Sequence, residues 1–81
     1  MITIEENEFG FHALEVGSFT VILSSHKSLC ERMARILSSC RNMPYRTAIK
    51  TIIEDIGFDE EYAKKVYHAL CETSNMPTTV Q

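Results

Sequence analysis

With 81 residues, 44% of them hydrophobic, the chain has room for one domain around one small core, and a large enclosed active site is hard to fit. The formal charge of −3 and a pI near 5.5 oppose generic affinity for phosphate backbones, and no apolar run is long enough to cross a bilayer. Cys30, Cys40 and Cys71 include no C-x-x-C pair, which argues against both a disulfide framework and a zinc ribbon. They read as small buried or half-buried hydrophobes in a reducing, cytoplasmic setting, and the opening MITIEENEF lacks the basic-then-apolar order of a secretory signal.

Residues 1–24 have the alternation of strands. Ile2-Thr3-Ile4-Glu5 is one run, Phe11 to Val16 a second and Phe19 to Leu23 a third, with Gly17-Ser18 as a two-residue hairpin turn between the last two. Pairing across that turn sets Val16 opposite Phe19, Leu14 opposite Val21 and His12 opposite Leu23, all on the core face. Asn7-Glu8-Phe9-Gly10 has the chemistry of a type I turn with a bulge at Gly10, which brings Ile2 opposite Val16, Ile4 opposite Leu14 and Glu6 opposite His12. Phe11, Ala13 and Ile22 then occupy the other face, with Phe9 at the turn. A sheet of only two strands is the alternative.

Ser24-Ser25 closes the sheet and begins a helix over about 25–41, with Ser28 and Glu31 in capping-box spacing and a buried stripe of Leu29, Met33, Ile36, Leu37 and Cys40. Pro44 stands at the first position of a second helix, about 44–56, whose apolar face is Tyr45, Ala48, Ile49, Ile52, Ile53 and Ile56. Gly57 supplies its left-handed stop. Asp59 is the natural N-cap of a third helix, about 59–72, with Glu60 and Glu61 in its first turn and Tyr62, Ala63, Val66, Tyr67 and Leu70 facing inward. The expected fold is α+β, a three-stranded antiparallel meander with three amphipathic helices packed on one face. A single domain over 1–75 and a flexible tail over 76–81 complete it.

Two resemblances attach to the helical pair. Ile49, Ile53, Gly57-Phe58, Ala63, Val66 and Leu70 are similar to the N-terminal helices of the histone-like HU/IHF family, but the DNA-gripping β-ribbon arm of that family has no counterpart here. Ile56-Gly57-Phe58 with Ala63 and Leu70 resembles the Met-Gly-Phe loop of ubiquitin-associated domains, although the third helix expected after Leu70 would run into a short segment containing Pro77. Each covers about a third of the chain, and neither carries a function across.

No catalytic, metal-binding or nucleotide-binding motif stands out, so no catalytic residue, metal ligand or cofactor is assigned. His26, Cys30, His68 and Cys71 form a Cys₂His₂ set on paper, but the helical wheel turns the last two away from the packed stripe. His12 reads as half of a structural pair with Glu6. Charge is zoned: residues 1–26 carry four Glu and no Lys or Arg, 27–50 carry six basic residues against Glu31, and 51–81 carry six acids against Lys64 and Lys65. These features point to a non-enzymatic interaction module, an adaptor or inhibitor of a larger protein complex. Its partner surface would be Phe9, Phe11, Ala13 and Ile22 on the outer sheet face. Its size and charge zoning match the general profile of phage-encoded inhibitors such as anti-CRISPR proteins, a resemblance of type alone. The alternative is a nucleic-acid-binding regulator using Lys27, Arg32, Arg35, Arg41, Arg46 and Lys50, although Lys50 and Glu54 also have the spacing of a surface pair. A protein partner is expected, a membrane is not, and a homodimer stays open.

Overall fold

The computed structural model describes the backbone of residues 1–79 and the side chains of residues 1–72. Three strands, β1 (Ile2–Glu6), β2 (His12–Val16) and β3 (Phe19–Ser24), form one antiparallel sheet in the order β1-β2-β3. They are followed by α1 (Lys27–Cys40), α2 (Tyr45–Thr51), a π-helical segment (Ile52–Ile56) and α3 (Glu60–Thr79). The architecture is the expected α+β meander with helices behind it.

Local chemistry sets the first register. The Asn7 carbonyl accepts from the Gly10 N–H at 3.2 Å, and Gly10, at φ 85°, takes the left-handed conformation that a side chain resists. Ile2 consequently pairs with Val16, Ile4 with Leu14 and Glu6 with His12, as the turn chemistry implies.

The second hairpin departs from expectation. Val16 faces Phe19 and Glu15 faces Thr20, but Leu14 then pairs with Ile22 and His12 with Ser24. Val21 is the extra residue of a β-bulge, which advances β3 by one position. Beyond the bulge the alternation is inverted, so Ile22 joins the core side and Leu23 faces outward beside Ala13. The expected outer position of Ile22 is therefore corrected.

The core lies between the sheet and the helices. Leu14, Val16 and Val21 meet Cys30, Met33, Leu37 and Cys40 from α1, Ala48, Ile49 and Ile52 from the second helical stretch, and Ala63, Val66, Ala69 and Leu70 from α3. Ser24 Oγ accepts the His26 N–H at 3.0 Å and starts α1, without a capping box at Ser28. Pro44 is the N-cap of α2 rather than its first residue, and its carbonyl accepts the Ala48 N–H at 2.9 Å. Tyr45, expected on the buried face, is 51% exposed.

The ladder widens after Thr51. Gly57, at φ 99°, donates to both Ile52 and Ile53 carbonyls, at 3.2 and 3.1 Å, and ends the π segment. Asp59 Oδ1 accepts the Tyr62 N–H at 2.8 Å, which makes it the N-cap of α3 as expected. That helix outruns the periodic pattern that ends near Leu70. Once a helix is nucleated, each added residue other than Pro77, which has no N–H, gains a backbone hydrogen bond without needing an apolar partner. The helix expected to end near 72 thus runs into the tail expected at 76–81, whose last residues, 80–81, lie outside the described residues.

Candidate functional site

Because α1 and α3 both pack on the side of the sheet that carries Leu14 and Val16, its other side is left open among the described residues. Two cross-strand rows pave that side. One is Glu5, Ala13 and Leu23; the other is Thr3, Glu15 and Thr20, in which Thr20 Oγ1 donates to Glu15 Oε2 at 3.5 Å. Phe11 continues the face from the start of β2, and Phe9 stands in the preceding turn.

The two phenylalanines are held by one side chain. Asn7 Oδ1 accepts the backbone N–H groups of both Phe9 and Phe11, at 2.8 and 3.0 Å, fixing the chain that presents the rings. Phe9 is 75% exposed, Phe11 41% and Leu23 60%, around a half-buried Ala13. Glu5 and Glu15 flank the apolar group on the strands, and Glu8 shares the turn with Phe9. The result is an aromatic and aliphatic patch with a carboxylate rim.

No family model, curated protein or solved structure matches this chain.

Of the residues expected on the outer face, Phe11 and Ala13 fall on it by strand alternation and Phe9 stands in the adjoining turn, while Ile22 packs against the core. Leu23 takes its place. No polar residue interrupts Val21-Ile22-Leu23 to mark the change of phase, so sequence alternation misassigns this pair.

The six basic residues are all exposed, and among the described residues none is in an ion pair; the two pairs present are Lys64–Glu60 at 3.4 Å and His68–Glu72 at 3.1 Å. The expected Lys50–Glu54 pair is thus not made. Arg32 and Arg35 lie away from the Cys30-Met33-Leu37-Cys40 stripe of α1. Arg46 and Lys50 instead line a groove of about 480 Å³ between α2 and α3, shared with Glu54, Glu60 and Lys64. The basic zone is therefore divided, and acids stand in its second half.

A second groove of about 520 Å³ adjoins the first along α3. Tyr45 and Tyr67 meet edge to face there, with ring centroids 5.4 Å apart, beside Lys64, Lys65, His68 and Cys71. Periodicity assigned both tyrosines to the core and so missed the groove.

Among the described residues no group of three or more His, Cys, Asp or Glu is placed to share a metal ion. The paper Cys₂His₂ set is dispersed: Cys30 Sγ donates to the His12 carbonyl at 3.6 Å, and His68 pairs with Glu72. Burial pushes the Cys30 and Cys40 thiols up, with smaller contributions from Glu31 and Asp55 respectively, so both favour the neutral form. His12 is 9% exposed on the core face. Glu6 stands opposite it in register but is exposed, beyond the part of the sheet the helices cover, and the expected ion pair does not form.

Proposed function

We propose that this chain is a small non-enzymatic interaction module, an adaptor or inhibitor that acts by seating the outer face of its sheet on a larger protein. The observation that carries this reading is the exposure of Phe11 and Leu23, with Phe9 in the adjoining turn, on a sheet that the described residues cover on one side only. Exposed aromatic side chains on a rigid support are the kind of residue that anchors protein interfaces, because their rings bury much area at little entropic cost. The carboxylate rim defines the complement. A partner hollow should be apolar at its centre and bear Lys or Arg around it.

The test compares the intact protein with a Phe11→Ser, Leu23→Ser double variant as bait for proteins of its native host. The bound partner should be lost from the variant while circular dichroism and the urea midpoint stay the same. Equal capture by the two baits would reject the outer face as the binding surface.

A second reading, nucleic-acid binding, draws on the six exposed cations without ion pairs. It ranks lower because Glu54 and Glu60 share the groove of Arg46 and Lys50. Titration with DNA and RNA separates the two readings: binding that weakens steeply with salt and is lost on neutralising Arg32 and Arg35 favours the second, and no binding at low salt removes it.

A further inference from the structure

The sheet has two edges, β1 and β3, and they are not alike. On β3 the bulge at Val21 interrupts the ladder. There the Tyr62 hydroxyl donates to the Val21 carbonyl at 2.5 Å and reaches the Thr20 carbonyl at 3.4 Å. A bulge and a capped edge are devices that prevent strand addition. β1 has neither: its pairing runs unbroken from Ile2 to Glu6, and it contains no proline.

The hydrogen-bond phase of β1 follows from its two ends. The Gly17 N–H donates to the Met1 carbonyl at 2.9 Å, and the Asn7 N–H to the Phe11 carbonyl at 2.8 Å. Antiparallel alternation between those points turns the backbone groups of Thr3 and Glu5 into the sheet and those of Ile2, Ile4 and Glu6 outward. Among the described residues no backbone group outside the sheet bonds to these three. The edge therefore offers three N–H and three C=O groups in a regular row.

We propose that this edge accepts an extended segment of a partner protein as a fourth strand, and that the segment alternates aliphatic residues with Lys or Arg. Ile2 and Ile4 point to the helix side and pack half-buried against the core, so the added strand extends that core with Val or Ile. Thr3 and Glu5 point to the outer side, where a cation faces Glu5, and no Lys or Arg within residues 1–26 competes for it. A second copy of the chain is disfavoured as the occupant. Antiparallel pairing of β1 with itself about Ile4 would set Glu5 opposite Thr3 and Glu6 opposite Ile2, placing four carboxylates on one short ladder to which neither copy brings a Lys or Arg. This surface shares Glu5 with the rim of the Phe9/Phe11/Leu23 patch, but it does not depend on that patch being used.

A labelled Lys-Val-Lys-Val-Lys-Val-Lys peptide tests it on the full chain by fluorescence anisotropy and amide exchange. In antiparallel register its valines face Ile2 and Ile4, so valine N–H groups bond to β1 and lysine N–H groups point away. Methylating the valine nitrogens should weaken binding at least about tenfold, methylating the lysine nitrogens should leave it within about twofold, and replacing Lys by Glu should abolish it. The amides of Ile2, Ile4 and Glu6 should exchange more slowly in the complex. A Phe11→Ser variant should bind the peptide as the parent does, which separates failure here from failure of the outer-face reading. Absence of binding, indifference to valine N-methylation, or unchanged β1 exchange overturns the proposal. Protection of the same amides by concentration-dependent self-association without peptide overturns the choice of occupant.

Discussion

Removing one oxygen atom, as Tyr62→Phe, should destabilise the fold measurably. The Tyr62 ring contacts Phe58 and Phe19, with centroids 4.8 and 5.9 Å away, and those contacts survive the change. What disappears is the hydroxyl bond to the Val21 carbonyl, 41 residues away in sequence, which ties α3 to the bulge of β3. Loss of one such bond costs about 1 kcal/mol, equivalent to a fall in Tm of about 4–8 °C for a domain of this size. The hydroxyl also links stability to pH. Burial holds its pKa above the ordinary tyrosine value, so the unfolded chain gives up this proton first. The contribution is fully present below the unfolded pKa of about 10 and is lost as pH rises through the folded one. Urea unfolding at pH 7 and near pH 11 reads both effects: the variant should have a midpoint lower by about 0.5–1 M at pH 7 and a shallower alkaline decline. A variant matching the parent at both pH values would refute the clamp.

Asp59→Ala removes the acceptor of the Tyr62 N–H at the start of α3 and should cost about 1 kcal/mol in urea unfolding. Gly57→Ala meets no atom within 4 Å at the new Cβ, so its cost comes from the φ of 99° alone and should be about 1 kcal/mol by the same assay. Leu14→Ala, in the fully buried centre, should lose about 2–5 kcal/mol, while Leu23→Ser on the outer face should stay within about 0.5 kcal/mol. Alkylation of the native protein followed by peptide mass mapping should label Cys71, which is half-buried, well before the buried Cys30 and Cys40.

How far the sequence carries depends on whether a feature has a local chemical cause. Asn7 and Gly10 specify a turn from within four residues, and the β1–β2 register follows from it. Asp59 and Gly57 likewise mark helix ends through their own side chain or backbone freedom. The bulge has no such marker, because Val21, Ile22 and Leu23 are interchangeable to any alternation rule, and the outer patch consequently gains Leu23 in place of Ile22. The π segment is hidden for a related reason: Ile52, Ile53 and Ile56 fall on one side of either a four-step or a five-step ladder. Tyr62 was legible as an apolar position, but its hydroxyl partner lies on a distant strand that spacing cannot identify. On the outer face, alternation alone places Phe11 and Ala13, while the unlike edges of the sheet emerge only from the hydrogen-bond phase.

The uneven placement of charge also acts on time. Residues 1–26, which include the whole sheet, carry four carboxylates and no Lys or Arg, whereas the remainder carries eight cations against seven acids and is close to neutral. The sheet thus carries a purely negative field, in addition to that of the acids in residues 51–81. On the proposed reading, a cationic partner would be drawn toward the strands, which would raise the association rate without altering any contact that holds the complex together. Added salt should therefore slow capture far more than it hastens release, with the screening length of about 8 Å at physiological ionic strength setting how early in the approach the attraction is felt.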